Sequence, residues 1–192
     1  IGNDERNYYD DINNFFIFDG KQYDLDELPF FGEHNYKNAL MAMYLAYLCD
    51  VPYEESFQAL KNYLGVKRRL EVIFQGNTHS VYDDFAHHPT AIEAVSRAIR
   101  SKYSSKMIGI IELASNTMKS GRHGNALIDS TKNFDKIYFL DHENTLNDAN
   151  SFLSLEKIID DLKKVICDYE TIIIMTNKDS QTISREIIKL CN

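Results

Sequence analysis

The stretch "MIGIIEL" at 107–113, followed by "KIYFLD" at 136–141 and "TIIIMT" at 171–176, decides the fold. Each run is short, almost continuously apolar and closed by polar residues, as expected of strands covered on both faces. Two more strand-like runs come first, "RLEVIF" at 69–74 and "SVYDDF" at 80–85. Helical patterns fall between them and after them, at about 90–102, 124–132, 154–168 and 180–190. Strand and helix thus alternate from about residue 67, which predicts right-handed βαβ units in an α/β, doubly wound, mostly parallel sheet. Thr90 and Glu93 have capping-box spacing at the head of the first of these helices, just after Pro89.

In open α/β sheets, ligands bind beyond the carboxyl ends of the strands. The segments expected there are "AHHPT" (86–90), "ASNTMKSGRHG" (114–124), "DHENT" (141–145) and "TNKDS" (176–180). All four are polar, and all four should gather at one edge of the sheet.

Upstream of residue 67 the pattern differs. "NNFFIFDGKQYDLDELPFF" (13–31) reads as a short hairpin turning at Asp19-Gly20. Leu40, Met43, Tyr44 and Tyr47 then recur at helical spacing. A second helix, roughly 53–64, should bury Phe57, Leu60 and Leu64 and stop before Gly65 as its cap.

The formal charge of −8 over 192 residues argues against nucleic acid as a partner, since neutralising phosphates needs clustered Lys and Arg. No apolar run approaches the ~18 residues that cross a bilayer, so no membrane partner is expected. Cys49, Cys167 and Cys191 have no metal or disulfide spacing and are expected as buried thiols in a reducing cytoplasm. A chain opening on Ile1 reads as an excised piece of something longer. His87-His88 is a poor metal site, because adjacent loop residues seldom face one ion, so no metal site is expected here. Neither GxGxxG nor GxxxxGK[ST] occurs, so the chain has no phosphate-cradling loop of its own.

Four phrases, in this order, resemble the C-terminal part of the ATP-dependent Mur ligases: "GEHNYKNALMAMYLA" (32–46), "GVKRRLEV" (65–72), "YDDFAHHPTAI" (82–92) and "SNTMKSG" (115–121). The resemblance implies that residues 1–66 are the end of the central ATP-binding domain, its helical remnant. It likewise implies that 67–192 are a Rossmann-like C-terminal domain. Within the family the phrases look most like the members that act in peptidoglycan recycling. Those join the murein tripeptide L-alanyl-γ-D-glutamyl-meso-diaminopimelate to UDP-N-acetylmuramate through an acyl phosphate. The alternatives are ligation of free L-alanine to the same nucleotide sugar, or a nucleotide-binding module without ligase activity.

Roles follow from the resemblance residue by residue. Asn35 and Asn38, i and i+3 at a helix start, match the pair that reads adenine. Arg69 matches the arginine on the nucleotide phosphates, and Arg68 is expected to be a solvated surface charge. Asp84 matches the acceptor of the ribose hydroxyls, and His87 would line the same pocket. Ser115, Asn116, Thr117, Lys119 and Arg122 stand where relatives hold the incoming amino acid or peptide, the alternative being a plain βα loop. ATP and Mg2+ are the implied cofactors, with the metal ligands, the phosphate loop and the carboxylated lysine expected upstream in the rest of the same polypeptide. No catalytic residue is assigned within the chain. Two departures from the pattern are Leu113-Ala114, where Pro-Arg is expected, and the glycine-free turn after 171–176.

Overall fold

The computed structural model describes residues 6–114 and 124–191. They form two compact units, dividing between Gly65 and Val66.

The first unit opens with an antiparallel sheet of three strands in the order β1 (Asn7–Asp10), β2 (Phe15–Phe18) and β3 (Lys21–Asp24). Asp19 and Gly20 both take positive φ, 45° and 79°, the backbone a tight two-residue hairpin requires. The expected turn is therefore present, while β1 went unread. Helices α1 (Glu33–Tyr47) and α2 (Tyr53–Lys61) pack with the sheet. Their core is largely aromatic: Phe16, Phe18, Tyr23, Tyr36, Tyr53 and Phe57, with Leu25, Leu40 and Met43. Phe18 and Tyr53 stack with centroids 4.1 Å apart. The unit is therefore more than a helical remnant, having a sheet and a core of its own.

Burial in this unit departs from the sequence pattern at two positions. Leu64 is fully exposed and Tyr47 largely so, whereas α1 buries Tyr36, Ala39, Leu40 and Met43. Tyr47 stacks on Tyr53 instead, at 4.3 Å. Helix α2 ends at Lys61 with Asn62 as its cap, so Gly65 is not the cap, although it takes φ 81° in the following segment. The cysteines also differ from expectation, Cys49 and Cys167 being exposed and Cys191 half-buried.

The second unit is a six-stranded sheet in the order β4-β5-β9-β6-β7-β8. The strands are β4 (Glu71–Gln75), β5 (Ser80–Asp84), β6 (Met107–Glu112), β7 (Lys136–Leu140), β8 (Ser151–Phe152) and β9 (Thr171–Met175). Only β4 runs antiparallel, and the two-residue β8 went unread. Helices α3 (Pro89–Lys102), α4 (Gly124–Asp129), α5 (Leu155–Leu162) and α6 (Gln181–Cys191) connect or close the strands. Helix α3 touches α4, and α5 touches α6, so the two pairs cover opposite faces. Strands β6 and β9 are buried throughout, as their unbroken apolar runs imply.

Helix α3 begins one residue earlier than its spacing suggests. Pro89 is its first residue and His88 its cap, without a side-chain cap bond. Proline pre-sets helical φ and lacks an N–H that would need a partner there, so the capping box does not form. Glu93 pairs instead with Arg97, at 2.7 Å. Gly109, on β6, marks a close approach: a Cβ would sit 2.6 Å from Ile137 Cδ1 and 3.0 Å from the Phe134 ring.

Candidate functional site

Strands β5, β9, β6, β7 and β8 are mutually parallel, so Asp84, Met175, Glu112, Leu140 and Phe152 end at one edge. Strand β4 is antiparallel to β5, with Glu71 opposite Asp83, which brings the segment before β4 to the same edge. That is why "VKRR" (66–69) meets "DDFAHH" (83–88). The residues at this edge are unusually polar for buried positions: Asp83, Asp84, Glu112, Asp141, Thr176 and Ser180 are all buried.

Asp84 holds the backbone around it. Its Oδ2 accepts from Leu70 N–H at 2.8 Å and its Oδ1 from Ala86 N–H at 2.7 Å. Burial pushes its pKa up, while those two N–H groups and the Arg69 charge pull the other way. Both Arg68 and Leu70 sit at positive φ, 59° and 49°, in a region side-chain-bearing residues rarely adopt. The strained segment is pinned on each side, since Arg68 N–H donates to Glu71 Oε2 at 2.8 Å and Phe85 N–H donates to Arg68 O at 2.9 Å.

Arg68 is not the solvated charge expected of it. It is half-buried, donates through Nη2 to the Thr176 carbonyl and lies 5.2 Å from the Phe85 ring centroid. Its Nε is 3.3 Å from Asp83 Oδ2, an ion pair that lacks hydrogen-bond geometry. Asp83 Oδ2 also accepts from Ser180 Oγ at 2.6 Å. Arg68 thus ties the segment before β4 to the ends of β5 and β9, which only a sheet order placing β9 beside β5 allows.

At the centre of the edge, Glu112 Oε2 accepts from the Thr176 hydroxyl. The same Thr176 oxygen accepts from Lys178 N–H at 3.0 Å, which shapes the glycine-free turn after β9. Glu112 Oε1 faces His142 Nε2 at 3.9 Å. Next to it, Asp141 Oδ2 accepts from Leu146 N–H at 2.7 Å and fixes the loop after β7.

Of the residues assigned from the sequence, Arg69 is exposed, and among the described residues its guanidinium has no hydrogen-bond or ion-pair partner. His87 is half-buried, and its Nδ1 lies 2.8 Å from the Phe85 carbonyl. A carbonyl only accepts, so Nδ1 carries the proton and Nε2 of the neutral ring is left as an acceptor. In the other unit, Asn35 Nδ2 donates to Phe31 O at 2.8 Å, while Asn38 is exposed on the same helix, three residues on. Ser115, Asn116, Thr117, Lys119 and Arg122 lie outside the described residues. Among the described residues no group of three His, Cys, Asp or Glu side chains is placed to hold a metal ion, and no helix is long and apolar enough to cross a membrane.

Sequence reasoning misplaced Arg68 and gave no role to Asp83, Glu112, Asp141, Thr176 and Ser180. A signal existed: four of them are the polar residues that close the runs "SVYDD", "MIGIIE", "KIYFLD" and "TIIIMT".

Comparison with known proteins bears on the family and the fold. The family model described as Mur ligase, glutamate ligase domain matches residues 68–188. A UDP-N-acetylmuramate–L-alanyl-γ-D-glutamyl-meso-2,6-diaminoheptandioate ligase of Haemophilus influenzae is 40% identical over 114 residues, 58% of this chain and 25% of that protein. A UDP-N-acetylmuramate–L-alanine ligase of Flavobacterium psychrophilum is 31% identical over 179 residues, 89% of this chain and 40% of that one. The crystal structure of a murein peptide ligase from Psychrobacter arcticus aligns with a TM-score of 0.65 and 27% identity, covering 96% of this chain and 43% of its own. The chain therefore spans between 25% and 40% of the length of these two sequence relatives. With its matched residues running from just before β4 into α6, the chain belongs to the Mur ligase family.

Proposed function

We propose that this chain is the C-terminal portion of an ATP-dependent amide ligase. The enzyme joins the murein tripeptide L-Ala-γ-D-Glu-meso-diaminopimelate to UDP-N-acetylmuramate, with activation of the muramyl carboxylate as an acyl phosphate. Residues 1–66 are the end of its central ATP-binding domain and 67–192 its C-terminal domain. The observation that carries the reading is the 40% identity to the tripeptide-adding relative, together with the "SNTMK" phrase at 115–119.

Asn35 and Asn38 read adenine, Arg69 neutralises phosphate, Asp84 accepts from the ribose hydroxyls, and His87 lines the same pocket. The described residues suit those tasks unequally. Arg69 and Asn38 are exposed, and the neutral His87 ring keeps one acceptor nitrogen. Asp84 already accepts two N–H groups, so a ribose hydroxyl would use its remaining lone pairs. Triphosphate and Mg2+ are held by the remainder of the same polypeptide, as the family resemblance implies. Catalysis then rests on positioning and charge neutralisation. Ser115, Asn116, Thr117, Lys119 and Arg122 receive the tripeptide's carboxylates and amides. The enzyme works in the cytoplasm, where its nucleotide substrates are.

The test is ligation by the full-length enzyme with ATP, UDP-N-acetylmuramate and either tripeptide or L-alanine. A large kcat/KM preference for tripeptide, eroded by Lys119→Ala and Asn116→Ala, is expected, because donors left unpaired in a closed site reject the smaller ligand. Equal use of L-alanine would assign the protein to the alanine-adding class. No ATP-dependent ligation with any amine would leave a binding module.

A further inference from the structure

Glu112 and His142 are the pair at the carboxyl edge for which neither the sequence motifs nor the fold supplies a task. Glu112 closes β6 and is buried, so its carboxyl group sits where water reaches poorly. One oxygen, Oε2, is engaged by the Thr176 hydroxyl. Among the described residues, the other oxygen accepts no hydrogen bond and faces His142 Nε2 at 3.9 Å.

The tautomer of His142 follows from its second contact. Nδ1 lies 3.1 Å from the Leu153 carbonyl, which can only accept, so Nδ1 carries the proton. In the neutral ring, Nε2 is then an acceptor. In that form two acceptors, a carboxylate oxygen and an imidazole nitrogen, face each other. At 3.9 Å they are too far apart to bond each other and well spaced to share one donor nitrogen. A nitrogen about 2.8 Å from each, an ordinary charge-assisted distance, would see them at close to a right angle, which a tetrahedral ammonium accommodates with two of its N–H bonds. The two backbones are fixed independently: β6 by its pairing with β7 and β9, and the loop after β7 by Asp141. The site thus exists before a ligand arrives.

We infer that Glu112 and His142 form an ammonium subsite, which binds an amino group of the incoming amine substrate at the edge where β6 and β7 end. The inference rests on the ligase reading above and deepens it. The residues assigned there receive carboxylates and amides, whereas this pair receives the cationic nitrogen. Strand β9 separates it from the end of β5, where Asp84 and Arg68 organise the segment carrying Arg69. Thr176 is a positioning residue, since its hydroxyl fixes which Glu112 oxygen remains to accept.

The experiment compares, in the full-length enzyme, binding of the tripeptide with binding of its analogue in which the alanyl amino group is replaced by hydroxyl. A second analogue lacks the distal amino group of the diaminopimelate. Wild-type enzyme should favour the tripeptide over one of the two analogues by roughly tenfold or more, the worth of a charged hydrogen bond. Glu112→Gln keeps an oxygen for Thr176 and turns a donor toward His142, and it should erase that preference. His142→Ala, at a largely exposed residue, should reduce it while leaving the KM for ATP unchanged. Unaltered discrimination in a folded His142→Ala and a folded Glu112→Gln overturns the subsite. If wild-type enzyme ligates the tripeptide yet binds both analogues as tightly, the subsite is also overturned while the ligase reading stands. If it ligates no amine at all, the ligase reading itself falls.

Discussion

Replacing Asp84 by alanine should destabilise the Val66–Asn192 unit by about 2–4 kcal/mol, whatever it does to nucleotide binding. The carboxylate is 2% exposed and accepts backbone N–H groups from Leu70 at 2.8 Å and Ala86 at 2.7 Å. Truncation leaves both amides without their acceptor, and each loss costs ~1–3 kcal/mol where water enters poorly. Two effects offset part of this. Removing a buried ion relieves the desolvation that raises the Asp84 pKa, and Leu70 can relax from φ 49°. Such backbone strain is worth ~1 kcal/mol or more, which keeps the net below the sum of the two losses. The pH dependence has a definite sign. A carboxyl whose folded pKa is raised contributes most below its unfolded value, about 3.9, and loses that contribution as pH rises through the folded value. The gap between wild type and Asp84→Ala should therefore be wider near pH 4 than at pH 7. Urea unfolding followed by circular dichroism at both pH values, with amide exchange at Leu70 and Ala86, measures it. With an m-value of about 2 kcal/mol/M, the midpoint should fall by roughly 1–2 M. An unchanged midpoint, or continued protection of both amides in the variant, would refute the reasoning.

Arg68→Ala and Arg69→Ala should separate cleanly. The first loses the Thr176 carbonyl, Asp83 and Phe85 contacts and should lower stability, with Arg68→Lys failing to restore it because a point charge cannot replace the fork. The second should leave thermal unfolding unchanged and raise the KM for ATP in the full-length enzyme by roughly tenfold or more. Asp135 should behave oppositely to Asp84 in acid. Burial acts to raise its pKa, but hydrogen bonds from Arg100 (2.6 Å) and Met107 N–H (2.8 Å), with the nearby charges, hold it below the usual range. Its contribution is present above the unfolded value and is lost as pH falls through the folded one, so Asp135→Asn should differ from wild type at pH 6 and converge with it in strong acid. Gly109→Ala should cost about 1–3 kcal/mol by overpacking against Ile137 and Phe134, read as a lowered unfolding midpoint without altered ligand binding.

The sequence by itself determined most elements of the second unit and the edge at which its candidate site lies. Unbroken apolar runs such as "TIIIM" can be satisfied only by cover on both faces, and strands so covered and joined by helices are parallel. Parallel strands in turn put their closing residues together, so "AHHPT" and "TNKDS" could be placed at one edge from spacing alone. Local turn chemistry was legible too, since Asp-Gly takes the positive φ a tight hairpin demands. Other features depended on which strands become neighbours. Sequence order gives no hint that β9 inserts between β5 and β6, and without that insertion Arg68 would not reach the Thr176 carbonyl nor Glu112 the Thr176 hydroxyl. The same pairing turned the two adjacent arginines to opposite uses, Arg68 bound into the structure and Arg69 left exposed, because positive φ at Arg68 reverses the chain between them. Two residues alike in charge and side by side in sequence cannot be told apart by pattern. Only the sheet's long-range hydrogen bonds, formed across more than 100 residues of intervening chain, decide which of them is structural and which is available to a ligand.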